Sequence, residues 1–74
     1  MTISEISDFI AYEHVDRSGR LQKVAMQNQV GFIGRILAAD QKEELKQENK
    51  WVFRHASGDL IVLNGDDIIS IKIS

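Results

Sequence analysis

The chain contains no cysteine and no proline, has only two histidines, and has no long hydrophobic run. Without cysteine it can build neither a disulfide framework nor a thiolate zinc site. His14 and His55 stand far apart in sequence, a poor basis for a structural metal, so no metal and no cofactor is expected. No apolar stretch approaches the ~18 residues a membrane-spanning helix needs. The opening residues Met1-Thr2-Ile3-Ser4-Glu5 have no basic region and no extended apolar segment, which predicts no signal peptide and a cytoplasmic location. The net charge is −2. The basic balance of a general nucleic-acid binder is therefore missing. Any contact with nucleic acid is confined to a pocket or to one face.

What is present is a composition of 43% hydrophobic and 27% charged residues, which places the chain among globular rather than disordered proteins. Its 74 residues allow one domain, 1–74. Folding would bury ~7,500 Å², and the apolar share of that contributes ~110 kcal/mol. Ordering the chain costs ~110 kcal/mol as well. A monomer is marginal on these terms. With disulfides and metals excluded, oligomerisation is the remaining source of stability.

The pattern along the chain predicts a helix followed by five strands. Thr2-Ile3-Ser4-Glu5 fits a capping box, with Ile3, Ile6, Phe9 and Ile10 on one helical face over 2–13. Arg17-Ser18-Gly19 signals a turn. A first strand is expected over 20–27, with Leu21, Val24 and Met26 in imperfect alternation that a bulge would mend. Asn28-Gln29 marks a hairpin turn, and a second strand follows over 30–39. Gly31 and Gly34 inside it point to a bend or a close backbone approach. Asp40–Lys50 has one apolar residue, Leu45, and reads as an exposed loop with scope for a helical turn. Trp51–Arg54 is a third strand, Ala56–Asp59 a turn and Leu60–Leu63 a fourth strand. Asn64-Gly65-Asp66 carries the strongest hairpin chemistry in the chain. Ile68–Ile73 is a fifth strand, expected to place Ile69, Ile71 and Ile73 on one face and Ile68, Ser70 and Lys72 on the other.

Two of these strands bear on assembly. Leu60-Ile61-Val62-Leu63 is apolar on both faces, whereas a half-buried antiparallel strand should alternate. Ile68–Ile73 would be an aggregation template at an open sheet edge. Pairing of 60–63 with 68–73 of another copy resolves both problems.

A helix followed by five bent strands resembles the outline of the Sm-like protein family, a small barrel of SH3 type. Asn28, Gly34, Ile36 and Asp40 follow the spacing of the family's first motif. Val62-Leu63-Asn64-Gly65-Asp66-Asp67-Ile68-Ile69-Ser70-Ile71 is similar to the second, with Asn64 where the family often has arginine. The family's asparagine between the motifs is matched by Asn49, just before Trp51, if 40–50 is an enlarged loop; the alternative places Glu44 there. The resemblance spans roughly residues 2–74. It implies a homo-oligomeric ring in which strand four pairs with a neighbour's strand five. It also implies single-stranded RNA on the inner rim, read by a pocket of Asp40, Asn49, Asn64 and Gly65. An asparagine amide offers a donor and an acceptor to a uracil edge, and backbone at glycine allows close approach.

Other motifs read as structure. Asp66-Asp67 lacks calcium-loop spacing. Ser18-Gly19 and Ser57-Gly58 are turns rather than nucleophile elbows. Gly31-Phe32-Ile33-Gly34 lacks the lysine of a phosphate loop. Trp51 and Phe53 are expected in the core or an interface. No nucleophile, base and orienter can be assembled, so no enzyme is expected. An SH3-like protein-interaction module using Trp51 and the loop 40–50, or a structural subunit of a larger assembly, are the competing readings.

Overall fold

A computed structural model of the chain describes residues 1–16, 20–36 and 41–73, with side chains at all of these except 13–16. The predicted turn at 17–19, the end of the predicted second strand at 37–39, Asp40 and the His14 side chain lie outside the described residues.

Helix α1 spans Ile3–Asp16. Its capping box forms reciprocally: Thr2 N–H donates to Glu5 Oε1 at 2.8 Å, and Glu5 N–H donates to Thr2 Oγ1 at 3.1 Å. Two backbone donors at the helix start are satisfied in this way. Ile6 and Ile10 are buried and Phe9 is half-buried, but Ile3, expected on the same face, is exposed. Hydrogen bonds from the Thr2 backbone, and then from its side chain, hold the Glu5 carboxyl below the usual carboxylate range. A depressed carboxyl contributes stability above its ordinary pKa and loses it as pH falls through the lowered value. Acid titration of helicity should therefore show a low-pH loss in the native chain that Glu5→Gln, a pH-independent cap, does not share.

The remaining elements are β1 (Gln22–Met26), β2 (Gly31–Ile36), α2 (Glu43–Gln47), β3 (Lys50–His55), β4 (Leu60–Asn64), a 3-10 turn at Gly65–Asp67, and β5 (Ile68–Ile73). The strands form one antiparallel sheet in the order β4-β3-β2-β1-β5. β4 and β5 do not pair among the described residues, so the sheet is open. The fold is thus a small mostly-β domain with a five-stranded antiparallel sheet and an N-terminal helix. The inner face carries Val24, Met26, Ile36, Trp51, Phe53, Leu63 and Ile68, which form the core with Ile6 and Ile10 of α1.

Several local expectations change. Asn64-Gly65 does not close a hairpin. It opens a 3-10 turn that carries the chain from one sheet edge to the other, with Asn64 Oδ1 capping Asp66 N–H at 3.1 Å. In β5 the register against β1 shifts between Ala25 and Met26, so that Ile68 faces Met26 and Ser70 faces Ala25. Ile69 is the extra residue of this bulge. It is exposed, while Ile68 takes the core position. In β1 no bulge is needed to mend the alternation. Gln22, not Leu21, faces inward with Val24 and Met26, and its Oε1 accepts the Ile36 N–H at 2.8 Å. The polar segment 40–50 does contain a helical turn, α2, none of whose residues is buried.

Gly34 fulfils the expectation of close approach. A Cβ there would overlap the Arg54 carbonyl oxygen and lie 2.8 Å from the Phe53 ring. Overpacking against a backbone atom cannot be relieved by a rotamer change. Gly34→Ala should cost about 2–3 kcal/mol in urea denaturation, whereas Gly31→Ala, which meets only ordinary contact, should cost far less.

Candidate functional site

Chain geometry at the end of α2 builds the site. Asn49 N–H donates to Lys46 O at 3.0 Å, and Asn49 adopts φ 59°. Asparagine tolerates this left-handed conformation better than most residues. The reversal turns its side chain inward, where it is buried beside the first residue pairs of β3 and β4. Its Oδ1 accepts the Trp51 indole N–H at 2.8 Å. Its Nδ2 donates to Met1 O and to Asp66 Oδ1, both at 2.9 Å. Its carbonyl accepts the Gly65 N–H at 2.6 Å.

Gly65 is required by the same cluster, since a Cβ would overlap the Asn49 carboxamide. The Met1 amino group closes the far side, donating to Gly65 O at 2.9 Å and Ile68 O at 2.7 Å. Asn49 is therefore a clasp joining α2, β3, the 3-10 turn and the start of the chain. Of the residues expected to form a pocket, Asn49, Asn64 and Gly65 are brought together, and Asp40 lies outside the described residues. Glu44, the competing match to the family asparagine, is exposed on α2. Both donors of Asn49 are committed within the fold. Asn64 is exposed, and its Nδ2 makes no hydrogen bond among the described residues. The outward-facing donor at this site is thus Asn64, with Asn49 holding the turn beneath it.

Sequence reasoning missed Asp66, Trp51 and Met1 as members of this cluster. The available signal was an asparagine placed between a charged, helix-forming run and a tryptophan that needs a buried partner for its indole N–H.

His55, Ser57 and Asp59 also meet, in the β3–β4 turn. Ser57 Oγ lies 2.9 Å from His55 Nδ1 and 3.4 Å from Asp59 Oδ2, while Ser57 N–H donates to His55 Nδ1. The serine stands between histidine and aspartate, whereas an activated nucleophile needs the histidine between the other two. These contacts brace a turn. Among the described residues no group of three or more His, Asp and Glu could hold a metal ion. No helix among the described residues is long and apolar enough to cross a membrane.

Comparison of the chain with protein-family models, curated proteins and solved structures finds no match.

Proposed function

We propose that this chain is a non-enzymatic, Sm-like subunit that assembles with copies of itself into a ring and binds single-stranded RNA. The observation that carries this reading is the strand order, which leaves β4 and β5 as the two free edges of one open sheet. An edge that joins a different edge of the next copy makes a head-to-tail interface, which closes into a ring when the rotation permits. Both edge strands carry exposed apolar side chains: Leu60 and Val62 on β4 are 57% and 53% exposed, and Ile69 at the start of β5 is 60% exposed. A hollow beside β4, lined by Lys42, Leu45, Val52, Leu60, Ile61 and Val62, offers an apolar wall to an incoming strand.

The RNA part of the reading rests on Asn64 and Gly65 at the 3-10 turn. Asp66 and Asp67 adjoin them and repel phosphate, so recognition there works through base edges, with the Asn64 amide as donor and exposed carbonyls as acceptors. Repetition around a ring turns weak single sites into useful avidity. Titration of labelled oligo(U) at low salt tests this. Saturable binding that Asn64→Ala weakens supports the RNA site, and absence of binding by the assembled species refutes it.

A further inference from the structure

The outer face of the sheet is cationic although the chain as a whole is acidic. No Asp or Glu occurs in any of the five strands, and Lys23, Arg35, Arg54 and Lys72 occupy outer-face positions; Lys50 is also on this face but pairs with Glu48 at 3.5 Å and stands outside the patch. The acids among the described residues lie on helices, loops and turns. Four of the cations are paired like with like across neighbouring strands. Arg35 stands opposite Arg54 between β2 and β3, and Lys23 stands opposite Lys72 between β1 and β5. Directly opposed like charges destabilise a sheet, so nothing in the strand pairing itself accounts for the arrangement. Arg35 and Arg54 each make a further interaction within the chain.

The two pairs belong to one patch. Lys23 faces Ile33 across β1 and β2, and Arg35 lies two residues beyond Ile33 on the same face. Diagonal neighbours of this kind are ~7–8 Å apart. Between the cations stand Leu21 and Ile33, each 43% exposed. No Phe, Tyr or Trp occupies an outer-face position of the strands.

We infer that this face, around Lys23, Ile33, Arg35, Arg54 and Lys72, is a docking site for an acidic polypeptide segment in which carboxylates alternate with aliphatic side chains. Charge complementarity calls for an anion. The exposed aliphatic residues between the cations favour a peptide over a nucleic acid, because aliphatic side chains of a peptide can cover them whereas a phosphate backbone offers them no apolar contact. Same-face side chains of an extended peptide repeat every ~7 Å, which matches the spacing of the cation rows. The site uses the face of the sheet and is separate from the Asn64–Gly65 site; Lys72 lies on the edge strand β5, whereas Lys23 lies on β1, away from both edges proposed for the ring.

The test is fluorescence anisotropy on the full chain with a labelled peptide of alternating Glu and Leu, beside polyglutamate and oligo(U). The peptide should bind saturably and weaken with salt. Lys23→Glu and Lys72→Glu should each weaken it by about tenfold or more, as expected for reversal of a contact charge. Each of these two changes also converts a repulsive cross-strand pair into an attractive one, so the unfolding midpoint should rise while binding falls. That opposite movement separates a lost contact from a lost fold. Ile33→Ser should weaken the peptide. The inference is overturned if no peptide binds or if polyglutamate binds as well as the peptide and ignores Ile33→Ser. Oligo(U) binding with the same dependence on Lys23 and Lys72 also overturns it, and would make the face a nucleic-acid site.

Discussion

Replacing Asn49 with alanine should destabilise the protein by about 3 kcal/mol, because it removes three side-chain hydrogen bonds at once and strands their buried partners. The Trp51 indole N–H is the costliest of these, since Trp51 is 1% exposed and Asn49 Oδ1 accepts its hydrogen bond. Met1 O and Asp66 Oδ1 lose their donor as well. The left-handed backbone adds about 1 kcal/mol against alanine. Asn49→Gly separates the two terms, since glycine accepts the conformation and still loses the bonds. Asn49→Asp separates donors from acceptor: the Trp51 bond can persist, but a carboxylate would face the Asp66 carboxylate and the Met1 carbonyl. Urea denaturation should rank the variants as native, then glycine above alanine, with aspartate destabilised at neutral pH and partly restored in acid. A cost below about 1 kcal/mol for alanine would contradict the clasp, because that is the size of a single ordinary hydrogen bond.

Val62→Pro should abolish self-association and leave the fold intact. The side chain of Gln41 takes both backbone groups of Val52, accepting its N–H at 2.8 Å and donating to its carbonyl at 2.9 Å. Val52 is therefore turned away from β4, and its register partner Val62 belongs to a pair that exchanges no hydrogen bonds. The N–H and C=O of Val62 consequently point to the free edge. Proline there removes a donor that only an added strand would use, and edge strands tolerate proline for this reason. The same change at Leu63, whose partner is Trp51, would instead break a bond within the sheet and should unfold the protein. Circular dichroism together with sedimentation distinguishes these outcomes. A Val62→Pro chain that assembles like the native one would show that β4 is not the contact edge.

Local signals with a single physical meaning were legible in the sequence. The capping box of Thr2 and Glu5 forms as the residue types require. The strands at 50–55, 60–64 and 68–73 match their apolar runs to within a residue or two at the ends. Asn-Gly chemistry at 64–65 specified a tight turn correctly, but a turn does not reveal whether the strands it joins lie side by side. Here they lie at opposite edges, because the intervening sheet order is set by long-range pairing. The Ile69 bulge was hidden for a similar reason. Ile68 and Ile69 are equally apolar, and only the register against Met26 decides which one is buried. The fold buries Asn49 beside Trp51 and leaves Glu44 exposed, and the use it makes of Asn49 is a structural one. An asparagine competent to read a base edge is equally competent to bind a buried indole and a carbonyl, and burial decides between them.

Self-association through the edges of β4 and β5 is the central claim, and native mass spectrometry tests it most directly. At micromolar concentration the native chain should give a closed oligomer whose mass is a whole-number multiple of 8.4 kDa, and Val62→Pro should give the monomer. A native chain found only at 8.4 kDa under the same conditions would contradict the account.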